Sequence, residues 1–187
     1  MKKQIGWAVL VAWLCCFVAI ALGGRAQAEA PPRVDVAFSP DGGAEPLVLR
    51  TIGEARQSIR VLAYSFTPPA VTRALLAAKR RGVDVAVTVD ARSNFEEDRS
   101  GRARTALGAL AYAGIPVRVV SVFPAQHSKY VVVDGATVET GSYNYSQQAA
   151  RYNAENVIVL RGDTRVANAY LKNWDAVSAR GELYRAP

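Results

Sequence analysis

His127-Ser128-Lys129-Tyr130-Val131-Val132-Val133-Asp134-Gly135-Ala136-Thr137-Val138-Glu139-Thr140-Gly141-Ser142-Tyr143-Asn144 carries the densest structural and chemical signal of the chain. Residues 128–133 are mainly β-branched and aromatic, the composition of a strand. Asp134-Gly135 follows at once and is a strong hairpin-turn signal. Residues 136–140 then read as the returning strand. A two-residue loop pairs Val133 with Ala136 and sets His127 opposite Ser142 and Lys129 opposite Thr140. A four-residue loop sets His127 opposite Asn144 and Lys129 opposite Ser142. In both registers the side-chain period of two puts His127, Lys129 and Ser142 on one face, with Asn144 joining them, and leaves Asp134 at the turn on the other parity.

An ammonium and an amide are donors for the oxygens of an anion. Imidazole can attack phosphorus or carry a proton near neutral pH. His127 is the only histidine of the chain, and the group lacks the cluster of Cys, His and carboxylate that a metal site needs. No metal and no cofactor is therefore expected, and the chemistry suggested is metal-free attack on a phosphate ester. An isolated His-x-Lys would be read as the polar face of an edge hairpin. The Gly-Ser-x-Asn tail at fixed distance makes the pattern far more specific.

His127-x-Lys129-x4-Asp134-x6-Gly141-Ser142-x-Asn144 resembles, without a gap, the HKD motif of the phospholipase D superfamily. Glu155-Asn156 resembles a downstream acidic position of the same family. From about Val34 to about Ala179 the chain is similar to the small, single-motif, secreted bacterial endonucleases that work without divalent metal. Phosphatidylserine synthases and mitochondrial cardiolipin-hydrolase-like proteins share the motif, so the motif alone does not fix the substrate.

The chain begins as an exported protein would. Lys2 and Lys3 precede an uncharged apolar run over residues 5–22, and Ala26-Gln27-Ala28 is a small-x-small cleavage site. Residues 1–28 are read as a signal peptide, with an uncleaved anchor as the competing reading. Cleavage places the protein in the periplasm or outside the cell, with no stable membrane association. Both cysteines, Cys15 and Cys16, lie in the apolar run, so residues 29–187 hold none and must rely on a packed core. About 159 residues suffice for one such domain. The formal charge of +7 includes Lys2, Lys3 and Arg25, and about +4 remains after processing. Moderate basicity fits a polyanionic substrate without demanding one.

Outward from the motif, strands are expected over residues 34–38, 58–64, 83–89, 116–120 and 155–160. Helices are expected over residues 46–57, 69–81, 102–113 and 163–179, with a short one beginning near residues 145–150. The last helix offers Val166, Tyr170, Trp174 and Val177 as its buried stripe. The polar stretch 90–101 follows the end of an apolar strand, where α/β folds place substrate loops. A groove-shaping loop and a solvated connector both fit it. Alternating strands and helices indicate one layered α/β/α domain, phospholipase D-like by resemblance, with a mixed central sheet because of the hairpin.

The resemblance also implies roles. His127 would attack phosphorus and form a phosphohistidine. Lys129 and Asn144 would hold the non-bridging oxygens, Ser142 would hydrogen-bond within the site, and Glu155 would orient the imidazole. Asp134 would support the hairpin, and Gly141 would allow close backbone approach. In-line displacement needs a proton donor opposite the nucleophile, and one histidine cannot occupy both sides. A homodimer with two motifs meeting at a two-fold axis is therefore expected. The expected substrate is nucleic acid, DNA first, with RNA left open. The alternative is a phospholipid-directed phosphodiesterase or phosphatidyl transferase. A non-catalytic nucleic-acid-binding protein is disfavoured by the intact motif.

Overall fold

The computed structural model describes residues 32–186. The expected leader, residues 1–28, lies outside them. The strands are β1 (Arg33–Ser39), β2 (Ser58–Ala63), β3 (Asp84–Asp90), β4 (Val117–Val120), β5 (Tyr130–Val133), β6 (Thr137–Gly141), β7 (Glu155–Arg161) and β8 (Glu182–Leu183). The α-helices are α1 (Ala44–Glu54), α2 (Pro69–Arg80), α3 (Arg102–Tyr112), α4 (Gln147–Arg151) and α5 (Thr164–Ser178). The eight strands form one mixed sheet in the order β1-β7-β6-β5-β2-β3-β4-β8. The β2–β3 and β3–β4 pairs are parallel, and the other five are antiparallel.

Two faces result from the strand period. Ile59, Val61 and Ala63 of β2 and Val85, Val87 and Val89 of β3 point to one side, where they meet Val48 and Ile52 of α1, Leu75 of α2 and Leu107 of α3. Leu62, Tyr130, Val132 and Val138 point to the other, where α5 lies. The layering is thus α/β/α, as the alternation of elements predicts. On α5, Ala167 is fully buried, and Val166, Tyr170, Trp174 and Val177 are partly buried against the sheet. Thr88 of β3 is hydrogen-bonded to Ser178 at 2.7 Å, and the Trp174 indole donates to the Val61 carbonyl at 2.9 Å.

Helix α5 packs over β2, β4, β5 and β6. Beside it, the same face of β1 presents Val34, Val36 and Phe38, which are 55%, 57% and 56% exposed. Their sheet neighbours Leu160 and Ile158 extend the apolar strip. On the other side, Arg161 of β7 ties β1 and α1 together through Asp35, at 2.6 Å, and Glu54.

Four details depart from the expectations. The motif strand begins at Tyr130, not at Ser128, so His127, Ser128 and Lys129 precede the ladder. The polar stretch after β3 contains a wide π turn, Arg92–Glu96, and a two-residue strand, β8, follows α5. The hairpin takes neither expected register. Its ladder closes on Val133↔Thr137, and Tyr130 faces Thr140, so the loop has three residues. Asp134 and Gly135 are both left-handed, at φ 53° and 62°. The Asp134 carboxylate accepts from the amides of Arg56, Gln57 and Ser58 at 2.9, 2.8 and 2.8 Å. That tie to the start of β2 pins the loop, so tertiary contact, not turn chemistry alone, sets the register.

Candidate active site

In the observed register, continuing the ladder would set Lys129 opposite Gly141 and Ser128 opposite Ser142. A regular hairpin would then separate Lys129 from Ser142 by parity. The side chains nevertheless border one groove because residues 121–129 are not strand, which frees them from alternation.

Buried polar side chains at the strand ends hold this irregular segment in place. Gln126 is 4% exposed. Its amide donates to Asp90 at 2.8 Å, and its side chain donates to the Ala63 carbonyl at 3.1 Å and accepts from the Ser128 amide at 2.9 Å. Asp90 also accepts from the Ser93 amide at 2.7 Å. Asn94, fully buried in the π turn, donates to the carbonyls of Tyr64 and Asp90 and accepts from the Phe66 amide. These contacts gather the C-terminal ends of β2 and β3 beneath His127. The sequence reading missed Asp90, Asn94 and Gln126 as site supports. Their one signal was polar side chains directly after an apolar strand and directly before the motif histidine.

His127 is exposed and Lys129 is 7% exposed. The Lys129 Nζ lies 2.9 Å from Nδ1 and 3.2 Å from Nε2 of the His127 ring, and donates to the His127 carbonyl at 2.6 Å. Burial lowers the Lys129 pKa from the usual lysine value, and the negative charge of Glu155 works against that shift. The Tyr64 ring packs against the imidazole, with centroids 4.5 Å apart, and Lys129 Nζ stands 5.2 Å from the same ring. Tyr64 was read only as the end of a strand. Its place under His127 follows from the antiparallel pairing of β2 with β5.

On the opposite wall, Ser142 donates to Glu155 Oε2 at 2.6 Å and accepts from the Asn156 amide at 3.0 Å. Asn153 donates to Glu155 Oε1 at 2.9 Å. Both carboxylate oxygens of Glu155 are thus engaged with Ser142 and Asn153, in place of the imidazole contact expected from the sequence. Asn144 Oδ1 is buried and accepts no hydrogen bond. Tyr143 and Tyr145 flank Asn144 and are core residues, 1% and 0% exposed, so neither is available to stack on a base.

Gly141 of β6 is paired with Val157 of β7. A Cβ built there would stand 2.1 Å from the Asn156 carbonyl oxygen, which is backbone and has nowhere to go. Gly141→Ala is expected to destabilise the fold by at least ~2 kcal/mol. It should also displace Ser142, whose amide donates to that same carbonyl at 3.2 Å. Urea denaturation of the variant checks this, and an unchanged midpoint would contradict the contact.

The groove, of about 810 Å³, is open and bordered by His127, Lys129, Ser142, Asn144 and Glu155, with Tyr170 and Asn173 of α5 on its far side. Among the described residues no group of three or more His, Cys, Asp or Glu could hold a metal ion. What the groove offers is an imidazole beside an ammonium, facing a hydroxyl and an amide. That set suits an anion with several oxygens.

Comparison with known proteins agrees with this chemistry. Residues 48–177 match the family model described as cardiolipin synthase, PLD-like domain. The chain is 36% identical over 148 residues to the phospholipase D of Rickettsia bellii, covering 79% of this chain and 70% of that protein. It is 34% identical over 144 residues to the mitochondrial cardiolipin hydrolase of Xenopus laevis, covering 77% of this chain and 62% of that protein. Among solved structures it is similar to Nuc of Salmonella typhimurium, a phospholipase D family member. The TM-score is 0.79 with 43% identity, over 82% of this chain and 99% of that one.

Proposed function

The chain belongs to the phospholipase D-like family and is a hydrolase of phosphodiester bonds, and from that premise we propose that it is an exported, metal-independent endonuclease acting on DNA with little sequence preference. The observation that carries the proposal is the open groove in which the Lys129 ammonium stands beside His127 and the Asn144 amide borders the opposite wall. An open groove bordered by His127, Lys129, Ser142 and Asn144 admits a continuous phosphodiester backbone. The 43% identity with Nuc over nearly the whole of that chain, and the positive charge of residues 29–187, support the same substrate class.

In this reading His127 of one subunit attacks phosphorus. A nitrogen–phosphorus bond forms, and the bond to the leaving oxygen breaks. His127 of the partner subunit gives its proton to that oxygen. It then takes a proton from water, which attacks phosphorus and releases His127. Lys129 and Asn144 hold the non-bridging oxygens as charge accumulates on them. Glu155 fixes Ser142 and, by its charge, favours the cationic form of Lys129. The homodimer is part of the proposal, because the chain has one histidine. The apolar strip of Val34, Val36 and Phe38 beside α5 is the face offered for it. Residues 1–28 act as the export signal, which makes the protein periplasmic or secreted. No helix among the described residues is long and apolar enough to cross a membrane.

The similarity to a cardiolipin hydrolase favours a second reading, a phospholipid-directed phosphodiesterase. One experiment separates the two. Purified protein in excess EDTA is given plasmid DNA, and in parallel cardiolipin in detergent micelles. Nicking of the plasmid with the lipid untouched is the expected result. Lipid hydrolysis without nicking would reverse the assignment, and activity that chelation removes would end the metal-independent reading.

A further inference from the structure

Residues 142–146 alternate. Ser142 and Asn144 face the groove, while Tyr143 and Tyr145 enter the core. Ser142 is tied to β7 through its amide and hydroxyl, and Ser146 caps α4 by accepting from the Ala149 amide at 3.1 Å. Between these anchors, the Asn144 side-chain oxygen has no partner to fix it, so its placement is inherited from its neighbours. The Tyr143 hydroxyl is buried without a partner. The Tyr145 hydroxyl, by contrast, donates to Glu139 Oε2 at 2.6 Å.

Glu139 is 1% exposed in the middle of β6, with Val131 and Val159 as its sheet neighbours. Burial pushes its carboxyl up to about 8, so the acid is mainly neutral at pH 7. A carboxyl in an apolar core costs free energy unless it is hydrogen-bonded, and apolar residues could fill the same space. Its partner Tyr145 is a junction. The Tyr145 ring contacts those of Phe66 and Tyr143, with centroids 6.4 and 6.1 Å away. Its carbonyl accepts from the Thr67 amide at 2.9 Å. The loop after β2, which follows Tyr64 and the imidazole packed on it, is thereby joined to the segment carrying Asn144.

We propose that the buried Glu139–Tyr145 hydrogen bond positions Asn144 and Ser142 for contact with the scissile phosphate, which makes Glu139 and Tyr145 positioning residues for phosphodiester cleavage. The proposal rests on the reading of Ser142 and Asn144 as phosphate-binding residues. Tyr145→Phe keeps the ring and removes the tie. Glu139→Leu combined with Tyr145→Phe removes both polar partners, which is close to neutral for stability when the replacements fit.

The test is steady-state cleavage of bis(p-nitrophenyl) phosphate in EDTA, beside thermal denaturation of each protein. Tyr145→Phe is expected to lower kcat by ~10-fold or more with KM within about twofold, because small misplacements of contacting groups act on the transition state. The double variant is expected to regain the wild-type melting temperature and keep the low kcat. Glu139→Gln, which preserves an acceptor for the Tyr145 hydroxyl, should retain kcat within about threefold. An unchanged kcat in Tyr145→Phe would overturn the proposal. So would a double variant whose kcat recovers together with its stability, because the pair would then be structural only. Wild-type protein inactive on every phosphodiester would instead remove the functional reading beneath it.

Discussion

His127→Ala is expected to lower plasmid cleavage in excess EDTA by ~10⁴-fold or more, since it deletes both the nucleophile and the proton donor of the proposed dimer. The side chain is exposed, with its ring against Tyr64 and Lys129, so the variant should melt with the wild type. Mixing gives a sharper result. If each site needs both histidines, equimolar wild type and variant after subunit exchange should leave about a quarter of the activity of the same total amount of wild type, the share of wild-type homodimers. Half the activity would mean that each subunit works alone. A variant that cleaves as fast as the wild type would place the chemistry elsewhere.

The second large effect is expected on the uncovered face of β1. Val36→Asp combined with Phe38→Asp introduces two charges at positions 57% and 56% exposed, where the protomer itself loses little packing. In a dimer closed over this strip the same charges would be desolvated opposite apolar neighbours. Sedimentation should then report a monomer. Cleavage should fall by about 10² to 10⁴-fold, the range for losing a positioned general acid. A dimer that persists with full activity would move the interface away from this face. Residual wild-type activity in a true monomer would show that the partner's histidine is dispensable.

Much of this protein is legible in its amino-acid sequence. The motif's residue types and spacing point to phosphate-ester chemistry, and the family resemblance it carries implies a phospholipase D-like domain. The alternation of apolar strands with helices gave the layered α/β/α fold, and the hairpin gave the mixed sheet. The stripe on α5 was visible as a helical period and lies against the sheet. These are properties of near neighbours along the chain, and local periodicity and turn chemistry encode them.

The arrangement of the site was decided in three dimensions. The hairpin register follows from Asp134 reaching amides 76 to 78 residues earlier, which no window around the turn contains. Lys129 reaches the groove because Gln126 and Asp90 hold residues 121–129 outside the ladder. Tyr64 lies under His127 because β2 pairs with β5 across most of the domain. Gly141 is required by the approach of Asn156, and Glu139 finds its donor in Tyr145 on the far side of the motif. Residue identity and spacing set which groups are present. Long-range backbone contacts, whose partners local sequence does not specify, set where each one points.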